Sequence, residues 1–362
     1  VAGLAGVVLL VLLTALVIRI LSAPLNIPVA DRTVRTILTS LAGKNGRVEV
    51  GGVSIAWAKN RGFEILVREV VLRGPAGTLS APSTVFDVST KSLFSGEIRI
   101  HSIAIEKPKL SVNYPTAGPD EPGSAAAERG PPLPVAFLPE LEQRLARLST
   151  IARTYGLNTF RIDDGEIRVP VPDARLPDRI FTEINATLRP EADGDVAIDV
   201  RGRAESGGWH YTMNRSSHPD GSRLVAGGTG LGLTDLLNLP IIKSGFGLSP
   251  ELAAWFSTDG KLEKARFQIG VDEGVFQIAR DPPRTVDRLL IAATWDAAAD
   301  LVTLDPIEIV AGSTLLTGKG TFTPPNDGSD TWQYQLTADN ARLAPDDIDG
   351  PPLDIPVLSV SG

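Results

Sequence analysis

Residues able to do chemistry are thinly scattered along this chain. Two stretches share a quartet, "SGEIRI" (Ser95 to Ile100) and "DGEIRV" (Asp164 to Val169), each setting a carboxylate beside a guanidinium after a glycine. The repeat is either a duplicated catalytic signature or a duplicated turn and strand opening. Alternation favours the second. Ile98 and Ile100, like Ile167 and Val169, take one side of a strand, and Glu97 and Arg99, like Glu166 and Arg168, take the other. Carboxylates on a watered side cannot serve a site on the opposite one.

The other candidates fail on spacing. His101, His210 and His218 are the three histidines, and none stands in a metal-ligand pattern with another donor. There is no Gly-x-Ser-x-Gly elbow, and Ser217 beside His218 means little, because a nucleophile and its base must meet in space. The glycine-rich "AGGTGLGLTDL" (Ala226 to Leu236) has Leu233 where the third glycine of a dinucleotide loop belongs, so it reads as a turn between strands. "TGKGT" (Thr317 to Thr321) lacks the leading glycine, replaced by Ser313, and the hydroxyl after Lys319. Asp163 with Asp164, and Asp346, Asp347 and Asp349, lack the further ligands of a calcium loop and read as solvated turns. No cysteine is present, which removes disulfides, zinc thiolates and thiol nucleophiles together. The sequence therefore predicts no catalytic residue, no metal site and no cofactor. A net charge of −8 with scattered Lys and Arg argues against nucleic acid as a partner.

The elements that remain are one apolar run, a few helices and many strands. Val1 to Ile18 carries no charge, with Thr14 as its polar residue, and is long enough to span a bilayer, so residues 1–22 are expected to be a membrane anchor that includes Val1, Leu10, Leu13 and Ile18. The chain starts without methionine and stops at "LSVSG" within an apparent strand, and so reads as a fragment. In "DRTVRTILTSLAG", Val34, Ile37, Leu38 and Leu41 predict a short amphipathic helix. From Arg47 the period becomes two, with phase slips between Val67 and Val70 and between Ile100 and Ile103 that a bulge or bend must absorb. Pro115 to Pro134 is a Pro- and Gly-rich loop. Then "PELEQRLARLSTIARTYG" predicts a helix burying Leu141, Leu145, Leu148, Ile151, Ala152 and Tyr155, with Glu142, Arg144, Arg147 and Arg153 outside. Strand alternation resumes at Phe160 and runs to the end, interrupted by a short helix predicted from the Ser249, Pro250 and Glu251 start signal.

Roughly fifteen to twenty strands with one apolar side each, and about four helices to cover them, leave apolar surface over. That surface must meet another sheet, a helix or a ligand. If the sheet curls into a trough, the ligand can be hydrocarbon: an acyl chain of about 16 carbons costs roughly 13 kcal/mol to expose to water, and a continuous apolar trough spreads that barrier into small steps. At about 4.8 Å per strand, such a sheet would extend about 70 to 95 Å.

The order of anchor, helix, "GRVEVGGVSIAW", "FEILVREVVL", "SLFSGEIRIHSIAIEKPKLSV", proline-rich break and "FRIDDGEIRVP" resembles the N-terminal part of the AsmA-like envelope proteins. "LSPELAAWFSTDGKLEKARFQIGV" and "VDRLLIAATWDAAADLVTLDPIEIVAGSTLLTGKGTF" resemble more specifically its YhdP branch. The resemblance implies a single-pass inner-membrane protein of Gram-negative bacteria with its bulk in the periplasm. It implies a mainly β fold: a long, curled, largely antiparallel sheet forming an open apolar groove that moves phospholipid between inner and outer membranes. Outer-membrane or periplasmic proteins are then possible partners. The family brings no catalytic residues.

The expected organisation is an anchor (1–22), a chorein-like helix and sheet (23–114), a loop (115–134), and a helix followed by continuing groove (135–362). Groove candidates are Ile55, Trp57, Ile65, Val67, Ile98, Ile100, Ile103, Ile105, Ile198, Val200, Phe267, Ile269, Ile307 and Ile309, each of which is equally a plain core residue on its own. The alternative function is a non-catalytic scaffold for outer-membrane biogenesis, working by strand addition to an exposed edge. An anchored hydrolase would need clustered carboxylates or a triad, which the sequence does not offer.

Overall fold

In the computed structural model, strands form where apolar and polar residues alternate, and the register between them puts the apolar set on one side. The structure describes residues 25–26, 47–58, 62–74, 77–89, 99–113, 137–171, 177–232, 235, 242–244, 247–271, 273–278, 284–324, 333–343, 353–355 and 357–361. The expected anchor with Val1, Leu10, Leu13 and Ile18, the helix at 31–43, the proline-rich loop and Ile98 with most of "SGEIRI" lie outside these residues. The described part is mainly β and mostly antiparallel, with few helices. No helix among the described residues is long and apolar enough to cross a membrane. The chain divides into two compact units, Val1–Thr116 with Thr150–Pro190, and Ala117–Ser149 with Glu191–Gly362.

The first unit contains β1 (Leu25–Asn26), β2 (Arg47–Glu49), β3 (Gly52–Ala58), β4 (Gly62–Gly74), β5 (Gly77–Val88), β6 (Ile100–Glu106), β7 (Lys109–Val112), β8 (Thr159–Val169) and β9 (Arg179–Pro190). Its neighbours are antiparallel except β8, which runs parallel to β6 and β7 after a crossover containing the helix α1 (Leu138–Tyr155). Cross-strand partners form apolar rows. Ile55, Ile65, Phe86, Ile103, Phe160 and Leu188 are successive partners through six strands. A second row runs Val48, Leu72, Leu79, Leu110, Ile167 and Phe181.

Between these rows every strand changes phase. Val67 and Val70 both point inward because Glu69 adopts φ 52°. Pro82 stands opposite it on β5, where Ala81 and Thr84 make the same step. The step recurs at Lys107 (φ 47°), in the break between β6 and β7, and at Asp164 (φ 55°) on β8 and Glu183 (φ 52°) on β9. Lys107 N–H donates to the Asp163 carbonyl at 2.8 Å, and Glu166 N–H to the Pro108 carbonyl at 2.8 Å, which carries the ladder across the crease. The predicted bend is thus a crease shared by consecutive strands. The second predicted slip is an ordinary bulge: Asp87 pairs with Ser102 and Val88 with Ile100, leaving His101 extra.

This corrects the reading of "DGEIRV" as a strand opening. Asp164 and Gly165 lie inside β8, at the crease. Gly165 is buried, and a Cβ there would come within 3.2 Å of Ile162 Cγ2 and 3.3 Å of Pro108 Cγ. Glu166 does lie on the polar side, 3.9 Å from Lys109 Nζ and 3.6 Å from Arg168.

The second unit contains a 3-10 turn (Ala192–Gly194) and β10 (Val196–Ala204), β11 (Gly207–His218), β12 (Gly221–Thr229), β13 (Leu231–Gly232), β14 (Ile242–Ser244), β15 (Gly247–Phe256), β16 (Leu262–Val271), β17 (Gly274–Ile278), β18 (Arg284–Val286), β19 (Arg288–Asp296), β20 (Leu301–Ala311), β21 (Thr314–Thr323), β22 (Gln333–Leu343), β23 (Leu353–Ile355) and β24 (Leu358–Ser361). A small sheet of β14, β17 and β18 stands apart. The helix predicted at Ser249, Pro250 and Glu251 is instead part of strand β15, whose Leu248, Leu252, Ala254 and Phe256 keep strict alternation. Pairing to β12 stops at Glu251 and pairing to β13 resumes at Leu248, so Pro250 occupies a gap on that edge.

Helix α1 buries Leu138, Glu142, Leu145, Ser149 and Ala152, while Leu148, Ile151 and Tyr155 are exposed. The predicted orientation is therefore wrong by a rotation that takes Glu142 in and three apolar residues out. The cause is a charge pair described below.

Candidate binding face

One apolar face dominates the second unit. Ile198, Met213, Ala226, Leu252, Phe267, Ala293, Leu304, Gly320, Leu336 and Val360 are successive cross-strand partners through ten strands, without a polar residue. Two parallel rows lie beside it on one side. One holds Ile269, Ile291, Ile307, Gly318, Ala338 and Leu358, and another Val271, Leu289, Ile309, Leu316, Ala341 and Ile355. Ile198, Val200, Phe267, Ile269, Ile307 and Ile309, singled out from alternation alone, therefore share this face. Val200 pairs with Tyr211.

Coverage of the face is uneven. Leu224, Ala254, Ala265 and Phe256, at one margin, are buried, whereas Phe267 in the central row is 40% exposed and Val360 46%. The margin at β11 and β12 is closed by α1 through a charge pair: Glu142 Oε1 accepts from Arg215 Nη2 at 2.7 Å, Arg215 Nε at 3.0 Å and Ser222 Oγ at 2.8 Å. Arg215 Nη1 also donates to the Gly194 carbonyl and to Ser217 Oγ, each at 2.8 Å. Both charges are out of water, at 8% and 10% side-chain exposure.

In the first unit the candidates behave differently. Val67 and Ile100 are buried in a core with Val50, Val53, Val70, Ala81 and Phe86, and Ile65, Ile103 and Ile105 pack on it half-buried. Ile55 is half-buried, and Trp57 lies exposed at the rim, edge-on to Phe63 at 4.8 Å between centroids. These residues share one face, and most of it is packed core.

Alternation did not reveal the polar atoms on the second unit's face. Trp209 Nε1, Tyr211 Oη and Trp295 Nε1 are removed from water without a hydrogen-bond partner among the described residues. Burial pushes the Tyr211 phenol pKa up. The available signal was two aromatics and a glycine-rich segment on strands that pair, together with Arg215 in the inward phase of "WHYTMNR".

The motifs rejected on spacing have structural explanations. Gly318 and Gly320 are strand residues on the apolar face, and Lys319 points the other way, exposed. His210 and His218 share the polar side of β11, about 27 Å apart at ~3.4 Å per residue, and His210 Nε2 is 2.7 Å from Asp199 Oδ2. Among the described residues no group of three or more His, Asp or Glu side chains is placed to hold a metal ion. Asp259, in the turn from β15 to β16, has its pKa lowered to about 2 by hydrogen bonds from Lys261 and Ser257, which makes it a turn residue that stays ionised.

The fold and this face define a class, a mainly β protein with an extended one-sided apolar surface. No protein-family model matches the chain, and neither a curated protein nor a solved structure matches it.

Proposed function

We propose that this protein is a lipid-transfer conduit of the AsmA-like group, close to its YhdP branch. It is anchored in the inner membrane with its bulk in the periplasm, and it moves phospholipid between inner and outer membranes along the apolar face of the second unit. The observation that carries this reading is the ten-strand row from Ile198 to Val360, unbroken by a polar residue and still open at Phe267. Apolar area left in water forgoes roughly 25 cal/mol per Å², so a long apolar row that is half-buried for most of its length and open at Phe267 suits a mobile apolar ligand. No residue is assigned a catalytic role.

The second reading is a non-catalytic scaffold for outer-membrane biogenesis, working by strand addition. The two readings part on lipid content. Native mass spectrometry of the full chain is expected to find bound phospholipid, and vesicle assays to find faster phospholipid transfer. A folded protein with neither would leave the scaffold.

A further inference from the structure

The glycines of Ala226 to Leu236 let one aromatic ring and the backbone of a second aromatic residue approach closely. Trp209 and Tyr211 stand two residues apart on β11, on the apolar face, with ring centroids 5.9 Å apart and planes tilted by 60°. Tyr211 pairs with Gly228, where a Cβ would come within 2.4 Å of the Tyr211 ring, so the ring lies directly on bare backbone. Trp209 pairs with Gly202, and a Cβ at Gly230 would come within 2.8 Å of Trp209 Cα. Both rings carry their polar atoms out of water, and neither atom finds a partner among the described residues. Native proteins rarely leave such groups unmatched, so each one calls for an explanation.

The chemistry of the missing partner follows from these two groups. An indole Nε1–H only donates, and a phenol kept protonated by burial donates readily. Two donors set among Val200 and Met213 ask for an acceptor carried by an apolar molecule. A charged acceptor would need a cation, and Arg215, the guanidinium on this side of β11, is committed to Glu142. A neutral carbonyl remains. We infer that Trp209 and Tyr211 form a docking point for the ester carbonyls of a diacyl lipid, fixing where its glycerol backbone sits while the chains lie along the apolar rows. The inference rests on the lipid-transfer reading and adds to it a site and a chemical preference, ester over ether linkage.

The test offers the full chain equal amounts of dipalmitoyl phosphatidylcholine and its di-O-hexadecyl ether analogue in mixed micelles, and reads the bound ratio by mass spectrometry. The analogue has the same headgroup and chain length but no carbonyl. The protein is expected to prefer the ester about fivefold for each donor engaged, the factor supplied by one ordinary neutral hydrogen bond. The double variant Trp209→Phe, Tyr211→Phe keeps both rings and removes both polar atoms. It should lose affinity for the ester, down to the level of the ether analogue, and take the two analogues equally, with its fold unchanged by circular dichroism. Equal binding by the unaltered protein would mean that the donors are satisfied by water only, and would overturn the site while leaving the lipid reading intact. A preference that persists in the double variant would overturn it as well. Failure to bind either lipid would overturn the lipid-transfer reading and this site with it.

Discussion

Glu142 is a carboxylate on the buried side of a helix, a place hydrophobicity alone would not give it. Its single oxygen Oε1 accepts from Arg215 and Ser222, and Arg215 interrupts the inward phase set by Trp209, Tyr211 and Met213. Each charge needs the other, because an unpaired charge in that position carries its full desolvation cost. Glu142→Ala is therefore expected to destabilise the protein by about 3–5 kcal/mol, whereas the pair Glu142→Leu with Arg215→Met should regain most of that loss. Chemical denaturation of the parent, the single variant and the paired variant measures both effects, and a single variant as stable as the parent would mean that the pair does not hold α1. The inward phase of Arg215 is visible in the sequence. Its partner is not, since Glu142 lies 73 residues away and in a different element.

Strands here tolerate a change of phase because consecutive ones change together. Glu69, Lys107, Asp164 and Glu183 adopt a left-handed backbone that costs an L-residue roughly 1–2 kcal/mol. The sheet keeps its apolar side in return. Glycine escapes the steric part of that cost and β-branched residues resist the conformation most. Glu183→Gly should thus be neutral or stabilising by up to about 1 kcal/mol, and Glu183→Val should destabilise by at least that much. A shift of the denaturation midpoint in the reverse order would remove the crease as an explanation. The slip at Val67 to Val70 was legible in the alternation, but its form was not. A bulge on one strand and a crease through several leave the same signature in any one segment. The start signal at Ser249 and Pro250 shows the opposite case, where local helix chemistry yields to the partners that β12 and β16 supply.

On the scale of the whole second unit, the central apolar row passes through ten strands, so a lipid carried as proposed would meet every position in turn. Ile198→Asp on β10 and Ala293→Asp on β19 each place a charge in that row. Either is expected to stop transfer of acyl-labelled phospholipid between vesicles while circular dichroism stays unchanged, and the double variant should be no worse than the single ones. Additive partial losses would argue against one continuous path. The sequence by itself determined most of the strands and their inward and outward residues, because a period of two is a local property. Only the tertiary structure decided which rows are buried and which stay open, since burial depends on what lies across from a side chain. By that route Val67 became core, Phe267 remained exposed, Glu142 turned inward, and Gly228 found the aromatic ring it makes room for.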